Sequence, residues 1–501
     1  MAVQAPASRA FHILALGAGA GAVLSQGVVL AVTYWLVRER LGTEALGLWA
    51  LVMALLAFGR ATEFGLSQSL MHFLPKAMRE QSEHGTPGLA QTYLDTVLGS
   101  SALLFTGFGL LILLAGPGLL QAATEPGVHA TIAAVLPPAA LGFVLTNTAL
   151  VGTNALIGLQ KPYLGNLVTI LGAAANLVAV LALLGPLGLS AMGYGYAVQG
   201  AVMLAAGLGL TAHRMGALPR PWRIQRVRFR EIIGLGLGLQ GMSILSVLAD
   251  SALKFLVNHF LGLAATGALE MAHRFILFVR GIFSLPQTYL SAQFSKLAGD
   301  RAALRAEMRR AFHVAVHLAC LFVAVVLVTR FWIGDLWAGA DGPAFAVLTL
   351  ALTGGWAVNI LATPVYFYCV GTNQMRCSLI GQTTYAGGVI VLGMAVGPLG
   401  EAWVMALAAT VALGAGHTYL TLAGLALLGL GWRDLIPPSL GALVPLVALT
   451  GAAVLWLEHG PLAGSSLEVR ALALVLIGLC YLGLHGAIAG RTLRRAAGGR
   501  A

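Results

Sequence analysis

Ionisable side chains stand inside stretches otherwise apolar enough to cross a bilayer: Arg60, Glu63, Asp250, Lys254, Glu270, Arg274 and Arg280. A charge at mid-bilayer costs about 2.5–3.5 kcal/mol on insertion scales, so each should face a wet cavity or a partner. Arg60 and Glu63 are three residues apart. Asp250 and Lys254, like Glu270 and Arg274, are four apart with the acid first, the order that favours pairing on one helix. Self-neutralised helices, with Lys254 snorkelling to the outer interface, are the plain alternative. Arg280 has no acid three or four residues away. Two arginines from different halves of a molecule, Arg60 and Arg280, would suit a diphosphate, because guanidinium binds phosphate oxygens two at a time.

Two polar stripes support a wet surface. At about 100° per residue, Glu270, His273, Arg274, Arg280, Gly281, Ser284, Thr288 and Ser291 fall within about 120° of arc. Gln240, Ser243, Ser246, Asp250, Lys254 and Asn258 form a second such stripe. The expected phosphate-binding set is therefore Arg60, Arg274 and Arg280, with Lys254 nearer the exit. Glu63, Asp250, Glu270, His273, Gln26, Thr33, Gln240 and Ser243 are expected as charge partners or cavity lining. His313 and His317 could ligate a metal from one helix face, but no third ligand follows in sequence, and no metal site is expected. Asp95 is expected to be a helix-end residue at the interface. No phosphate loop, nucleophile motif or cofactor signature appears, so neither an enzyme nor a cofactor is expected.

The elements that must hold these groups are membrane helices. Of 501 residues, 58% are hydrophobic and 9% charged, far from the roughly 25% charge of soluble domains. Apolar runs long enough for a ~30 Å hydrocarbon core fill the chain. Fourteen spans are expected, the second (44–73), fourth (128–152) and eighth (263–290) being long or interrupted. Pro137, Pro138 and Pro286 mark two of those interruptions. Closed backbone hydrogen bonding in lipid leaves helix as the sole candidate, so the fold class is an all-α polytopic membrane protein. The first span, 13–37, is too long for a signal-peptide core and is expected to stay as a helix.

With the N-terminus inside, 21 of the 29 Lys and Arg residues fall on cytoplasmic segments, which predicts N-in and C-in. The net charge of +11 follows from that topology, and no nucleic-acid partner is expected. The basic loop Arg214, Arg220, Arg223, Arg226, Arg228 and Arg230 would be retained inside and attracted to anionic membrane lipid; a dedicated partner site is the alternative. The four cysteines suit neither a disulfide framework nor a metal.

The chain also repeats itself. Leu41–Gly47 recurs as Leu261–Gly267, and Phe58-Gly59-Arg60 faces Phe278-Val279-Arg280 at the same offset of 220. Gly158 matches Gly371, and Gly185-Pro186-Leu187-Gly188 matches Gly397-Pro398-Leu399-Gly400, at offsets of 213 and 212. Such parallel duplication is the signature of a carrier built from two bundles. The expected domains are a first six-helix bundle (1–211), a basic linker (212–231), a second bundle (232–430), and an added helix pair with a basic tail (431–501).

Arg38–Leu51 (RERLGTEALGLWAL), with Glu63-Phe64-Gly65-Leu66, Gly158–Tyr163 and Gly371–Gln374, resembles the Wzx-type polysaccharide flippases. These form one branch of the multidrug/oligosaccharidyl-lipid/polysaccharide (MOP) exporter superfamily, which also holds the MATE exporters and lipid II flippases. The resemblance implies a V-shaped pair of bundles moving undecaprenyl-diphosphate-linked sugar outward across a bacterial inner membrane, beside a polysaccharide polymerase or ligase. A MATE-type cation antiporter and a lipid II flippase are the alternatives, with a membrane glycosyl transferase or polymerase the remote one. Against the antiporter, every mid-span acid except Asp95 has a base at i+4 or i−3.

Overall fold

In a computed structural model, the described residues are 9–501 less 64, 85–87, 285–286, 288, 438–440, 442, 459–465, 467, 474, 477, 481–482 and 484–501. Helices follow one another with no strand among them: α1 (Arg9–Leu41), α2 (Thr43–Ala57), α3 (Leu66–His84), α4 (Leu89–Ala123), α5 (His129–Gly158), α6 (Pro162–Leu187) and α7 (Ser190–Met215). After a short strap come α8 (Arg226–Ser284), α9 (Leu290–Lys296), α10 (Arg301–Ile333), α11 (Gly342–Gly371), α12 (Met375–Val396), α13 (Ala402–Leu428) and α14 (Leu443–Glu458). Ten stretches are long and apolar enough to cross a membrane. Two of them, of 45 and 71 residues, are too long for one crossing and hold two each. With the shorter α14 and the helical residues 468–473, 475–476 and 478–480, the described residues accommodate the fourteen expected.

Packing divides the chain into two compact units, Met1–Gly267 and Ala268–Ala501. The cut falls beside Gly262, whose φ of 82° and ψ of −176° interrupt α8. Gly42, 220 residues earlier, separates α1 from α2 with φ 86° and ψ 169°. Only glycine adopts that backbone region readily, so the duplicated motif encodes one joint used twice. Within the first unit the copies also touch reciprocally. A methyl on Gly47 would strike the Leu263 carbonyl oxygen, and one on Gly267 would strike that of Thr43.

The Gly158–Gly371 match holds as well, whereas Gly188 (φ 53°, ψ −137°) and Gly400 (φ 76°, ψ 14°) turn the chain differently. A methyl on Gly158 would come within 2.7 Å of the Leu70 carbonyl oxygen, and one on Gly371 within 2.6 Å of that of Ser291. Two residues on, Gln160 and Asn373 both turn the chain with positive φ, 59° and 57°. α5 and α11 thus end on the same turn.

Small residues set the tightest helix approaches, as expected where no hydrophobic force joins helices in lipid. They are not the glycine runs most visible in the sequence. A methyl added to Gly19 or Gly21 would make ordinary contacts at 3.6 and 3.8 Å, whereas one on Gly152 of α5 would come within 2.8 Å of the Gly207 backbone of α7.

The spans at 44–73 and 263–290, expected to be long or interrupted, are broken. Phe58–Glu63 forms a 3-10 turn between α2 and α3, and α8 ends at Ser284 before α9 begins at Leu290. Ser291 therefore lies on a separate helix from Glu270, and Thr288 lies outside the described residues. Asp95 is more than a helix-end residue: its buried carboxylate accepts from the Arg220 backbone N–H at 2.7 Å.

Candidate functional site

The second unit gathers Arg280 from α8, Trp356 and Asn359 from α11, and His417 from α13. Gly355 lets α11 approach α13, since a methyl there would lie 2.8 Å from the Thr410 carbonyl oxygen. Thr410 Oγ1 in turn donates to the Ala351 carbonyl at 2.7 Å. Asn359 is one turn from Gly355 and His417 is two turns from Thr410, so the same faces bring the two polar side chains together. On the far side of α13, Gly416 packs against Gly381 of α12 and fixes the helix from behind.

A single proton assignment satisfies the chain of bonds that results. The Arg280 Nε–H donates to Asn359 Oδ1 at 2.9 Å, which sets the amide orientation. Asn359 Nδ2 then points at His417 Nε2, 2.6 Å away, and must donate. His417 Nδ1 lies 2.9 Å from the Leu413 carbonyl and donates there, so the imidazole is neutral in this arrangement. The guanidinium carbon also sits 5.4 Å from the centroid of the Trp356 ring, a cation–π contact. His273 also packs against this tryptophan, ring centroids 5.7 Å apart. Among the described residues no carboxylate lies within ion-pair distance of Arg280, and its two terminal nitrogens have no hydrogen-bond partner.

One turn and a half away, Arg274 behaves differently. Its Nε donates to the fully buried Glu270 at 2.6 Å, the expected i,i+4 pair. The pair leaves Arg274 partly exposed and Glu270 neutralised.

The first unit places the remaining candidates. Arg60 is exposed at the 3-10 break, and its backbone carbonyl accepts from Gln240 Nε2 at 2.9 Å. Glu63 does not pair with it: its carboxylate accepts from the Ser67 backbone N–H at 2.7 Å, in the first turn of α3. Lys254 pairs with Asp250 at 3.1 Å, but it is the lysine that is buried, at 3% exposure, and the aspartate that is open at 34%. Snorkelling is thus excluded for Lys254. Thr33 is buried and back-bonded to the Val29 carbonyl at 2.8 Å, which occupies its hydroxyl proton. Gln26 and Ser243 are exposed. His313 contacts the Asp434 carbonyl at 3.3 Å, and no metal-binding group of residues occurs among those described.

Trp356, Asn359 and His417 were not among the expected site residues. Their signal is the one that betrayed the charges: a polar side chain inside an apolar span.

Helix order and the paired broken helices define a multi-pass, all-helical membrane protein. Among solved structures, lipid II flippase MurJ in an inward closed conformation superposes with a TM-score of 0.72 at 15% identity, covering 97% of this chain and all (100%) of that one. An inward-facing multidrug resistance MATE family transporter gives 0.68 at 14% identity, covering 81% and 94%. A MOP superfamily transporter from Pyrococcus furiosus, described as having a binding pocket of reversed polarity, gives 0.58 at 14%, covering 84% and 94%. The sequence profile of the polysaccharide biosynthesis protein family matches residues 40–340, and the chain belongs to that family. No curated protein matches it at a significant level.

Proposed function

We propose that the protein is a flippase for undecaprenyl-diphosphate-linked oligosaccharide, moving it from the cytoplasmic to the outer leaflet by alternating access between its two repeats. Membership of a polysaccharide biosynthesis family and the lipid-flippase fold support the reading. The observation that carries it is Arg280, a cation anchored through Nε and stacked on Trp356, with its two terminal donors left for an anion. A fork so presented matches phosphate oxygens bidentately. Arg274, partly exposed on the same helix but with its charge balanced by Glu270, is a second candidate, and Arg60 and Lys254 are the cationic candidates of the first unit.

The protein sits in a bacterial inner membrane with both termini inside, and its partners are the lipid-linked sugar and a downstream polymerase or ligase. An inside-negative potential assists outward movement of an anion by about 2.3 kcal/mol per charge per 100 mV. A lipid II flippase shares this chemistry and is favoured by the full-length superposition on MurJ. The decisive experiment reconstitutes the protein in vesicles with labelled lipid-linked oligosaccharide, labelled lipid II or a cationic dye. Outward movement of the first, strongly reduced by Arg280→Ala, is expected; export of the dye alone would overturn the proposal.

A further inference from the structure

The basic segment between the two repeats is a folded strap. α7 stops at Met215 on Gly216, whose φ of 68° turns the chain, and α8 starts at Arg226. Between them the backbone lies along the first three turns of α4. Asp95 accepts from the Arg220 N–H at 2.7 Å, and Gln91 Nε2 donates to the Leu218 carbonyl at 3.1 Å. Thr96 Oγ1 accepts from the Gln225 N–H at 3.2 Å. Gly99 completes the seat, because a methyl there would collide with the Pro221 carbonyl oxygen. At the strap's end, Tyr93 donates its hydroxyl proton to Glu231 at 2.7 Å, and Arg228 bonds the same carboxylate at 3.0 Å.

From the side of the strap and the start of α8, these anchors use backbone groups, Arg228 and Glu231, and what they leave outside is unusual. Arg220, Arg223, Arg226 and Arg230 are exposed, and no ion pair holds them among the described residues. Interleaved with them are Leu218 and Trp222, 77% and 75% exposed, with Val227 at 66%. A solvated loop gains nothing by ordering large apolar side chains into water. A segment beside the end of a membrane helix gains by it, because tryptophan and leucine partition into the headgroup region while arginines meet lipid phosphates. The attachment to α4 near its start puts the strap at that level.

We propose that Gly216–Val227 is an interfacial anchor that binds the headgroups of anionic phospholipid. It is built from Trp222 and Leu218 as apolar wedges and from Arg220, Arg223 and Arg226 as phosphate donors. This is independent of what the central site carries. Each basic residue near an anionic surface strengthens attachment severalfold, and three act together.

The test uses full-length protein in nanodiscs of phosphatidylglycerol or phosphatidylcholine, each doped with a headgroup-spin-labelled lipid that quenches tryptophan. The chain has nine tryptophans, so the contribution of Trp222 is taken as the difference between the protein and its Trp222→Phe variant. Strong quenching of that difference signal in phosphatidylglycerol is expected. Replacing Arg220, Arg223 and Arg226 together by Gln should cut the preference for phosphatidylglycerol by at least tenfold, with gel-filtration behaviour unchanged. A Trp222 signal that is quenched equally in both lipids, or reached by aqueous iodide but not by the lipid-borne label, overturns the anchor. Protection that arises only on adding a protein fraction would mean that the strap docks a protein instead.

Discussion

Arg60 and Arg280 occupy matching places in a duplicated sequence, yet the two copies treat them differently. In the first unit the helix gives way at Phe58, two residues before the arginine, and Arg60 rides an exposed 3-10 turn held by its carbonyl. In the second the helix continues through Arg280 to Ser284, and the side chain itself is held. One copy ties the backbone and leaves the charge loose. Its counterpart ties the charge. A guanidinium whose stem, Nε and ring face are already fixed loses little rotamer freedom when it takes a ligand, whereas a loose one must be ordered at that moment. Under the proposed function, affinity would rest on Arg280, and Arg60 would take a more forgiving role, such as drawing an anion in.

The largest expected effect breaks that comparison directly. Arg280→Ala removes charge-assisted hydrogen bonds worth about 1.5–3 kcal/mol, so outward movement of lipid-linked sugar should fall roughly ten- to hundredfold. Arg280→Lys should be nearly as poor, since an ammonium can neither engage Asn359 through Nε nor stack as a plane on Trp356. Arg60→Lys should retain most activity and Arg60→Ala should lose only a few-fold, as befits an exposed charge. Equal losses at the two arginines in a vesicle assay, with matched expression, would show that the copies are equivalent after all.

A smaller effect sharpens the comparison. Asn359→Ala should weaken transport by about 1 kcal/mol, near fivefold, by freeing Arg280 without removing its charge. His417→Ala leaves Asn359 Nδ2 without its acceptor and should cost somewhat less. His417→Gln, which keeps an acceptor, should restore part of it. The readout is substrate concentration dependence: a positioning role raises the half-saturating concentration with little change in maximal rate. Gln240→Ala, the corresponding change in the first unit, frees a backbone carbonyl and should leave that dependence almost unmoved.

The sequence made the charged half of this site legible because an ionisable residue in lipid is costly enough to stand out alone. Glu270–Arg274 and Asp250–Lys254 form as their four-residue spacing required, since both partners ride one helix. Glu63 escaped the same logic: it shares the 3-10 turn Phe58–Glu63 with Arg60, yet its carboxylate accepts from the Ser67 N–H of α3 instead. Asn359 and His417 lie 79 and 137 residues beyond Arg280 on other helices, and only tertiary packing through Gly355 and Gly416 brings them in. The duplication itself was fully visible as residue matches. What could not be read from it was which copy had kept a continuous helix, because the propensities on either side of the two arginines are alike.

The shared joint provides the gentlest perturbation. Gly42 and Gly262 both hold φ above 80° with ψ near the extended value, and nothing lies within 4 Å of a methyl added at either. Any cost of Gly42→Ala or Gly262→Ala is therefore backbone strain, about 1–3 kcal/mol, uncontaminated by a clash. If the two copies carry the same mechanical load, the variants should lower the thermal midpoint by the same few degrees and slow transport by similar small factors. The prediction from the arginines is otherwise. Gly262 sits in the helix that leads to the tightly held Arg280, so a shift there is passed through a continuous α8 to the guanidinium. Gly42 leads only to α2, whose end at Ala57 and 3-10 turn can absorb the displacement before Arg60. Equal loss of stability but a two- to threefold larger loss of transport in Gly262→Ala is the expected outcome, about 0.5 kcal/mol of difference. Stability and transport falling in parallel for both variants would mean that the joint serves folding alone.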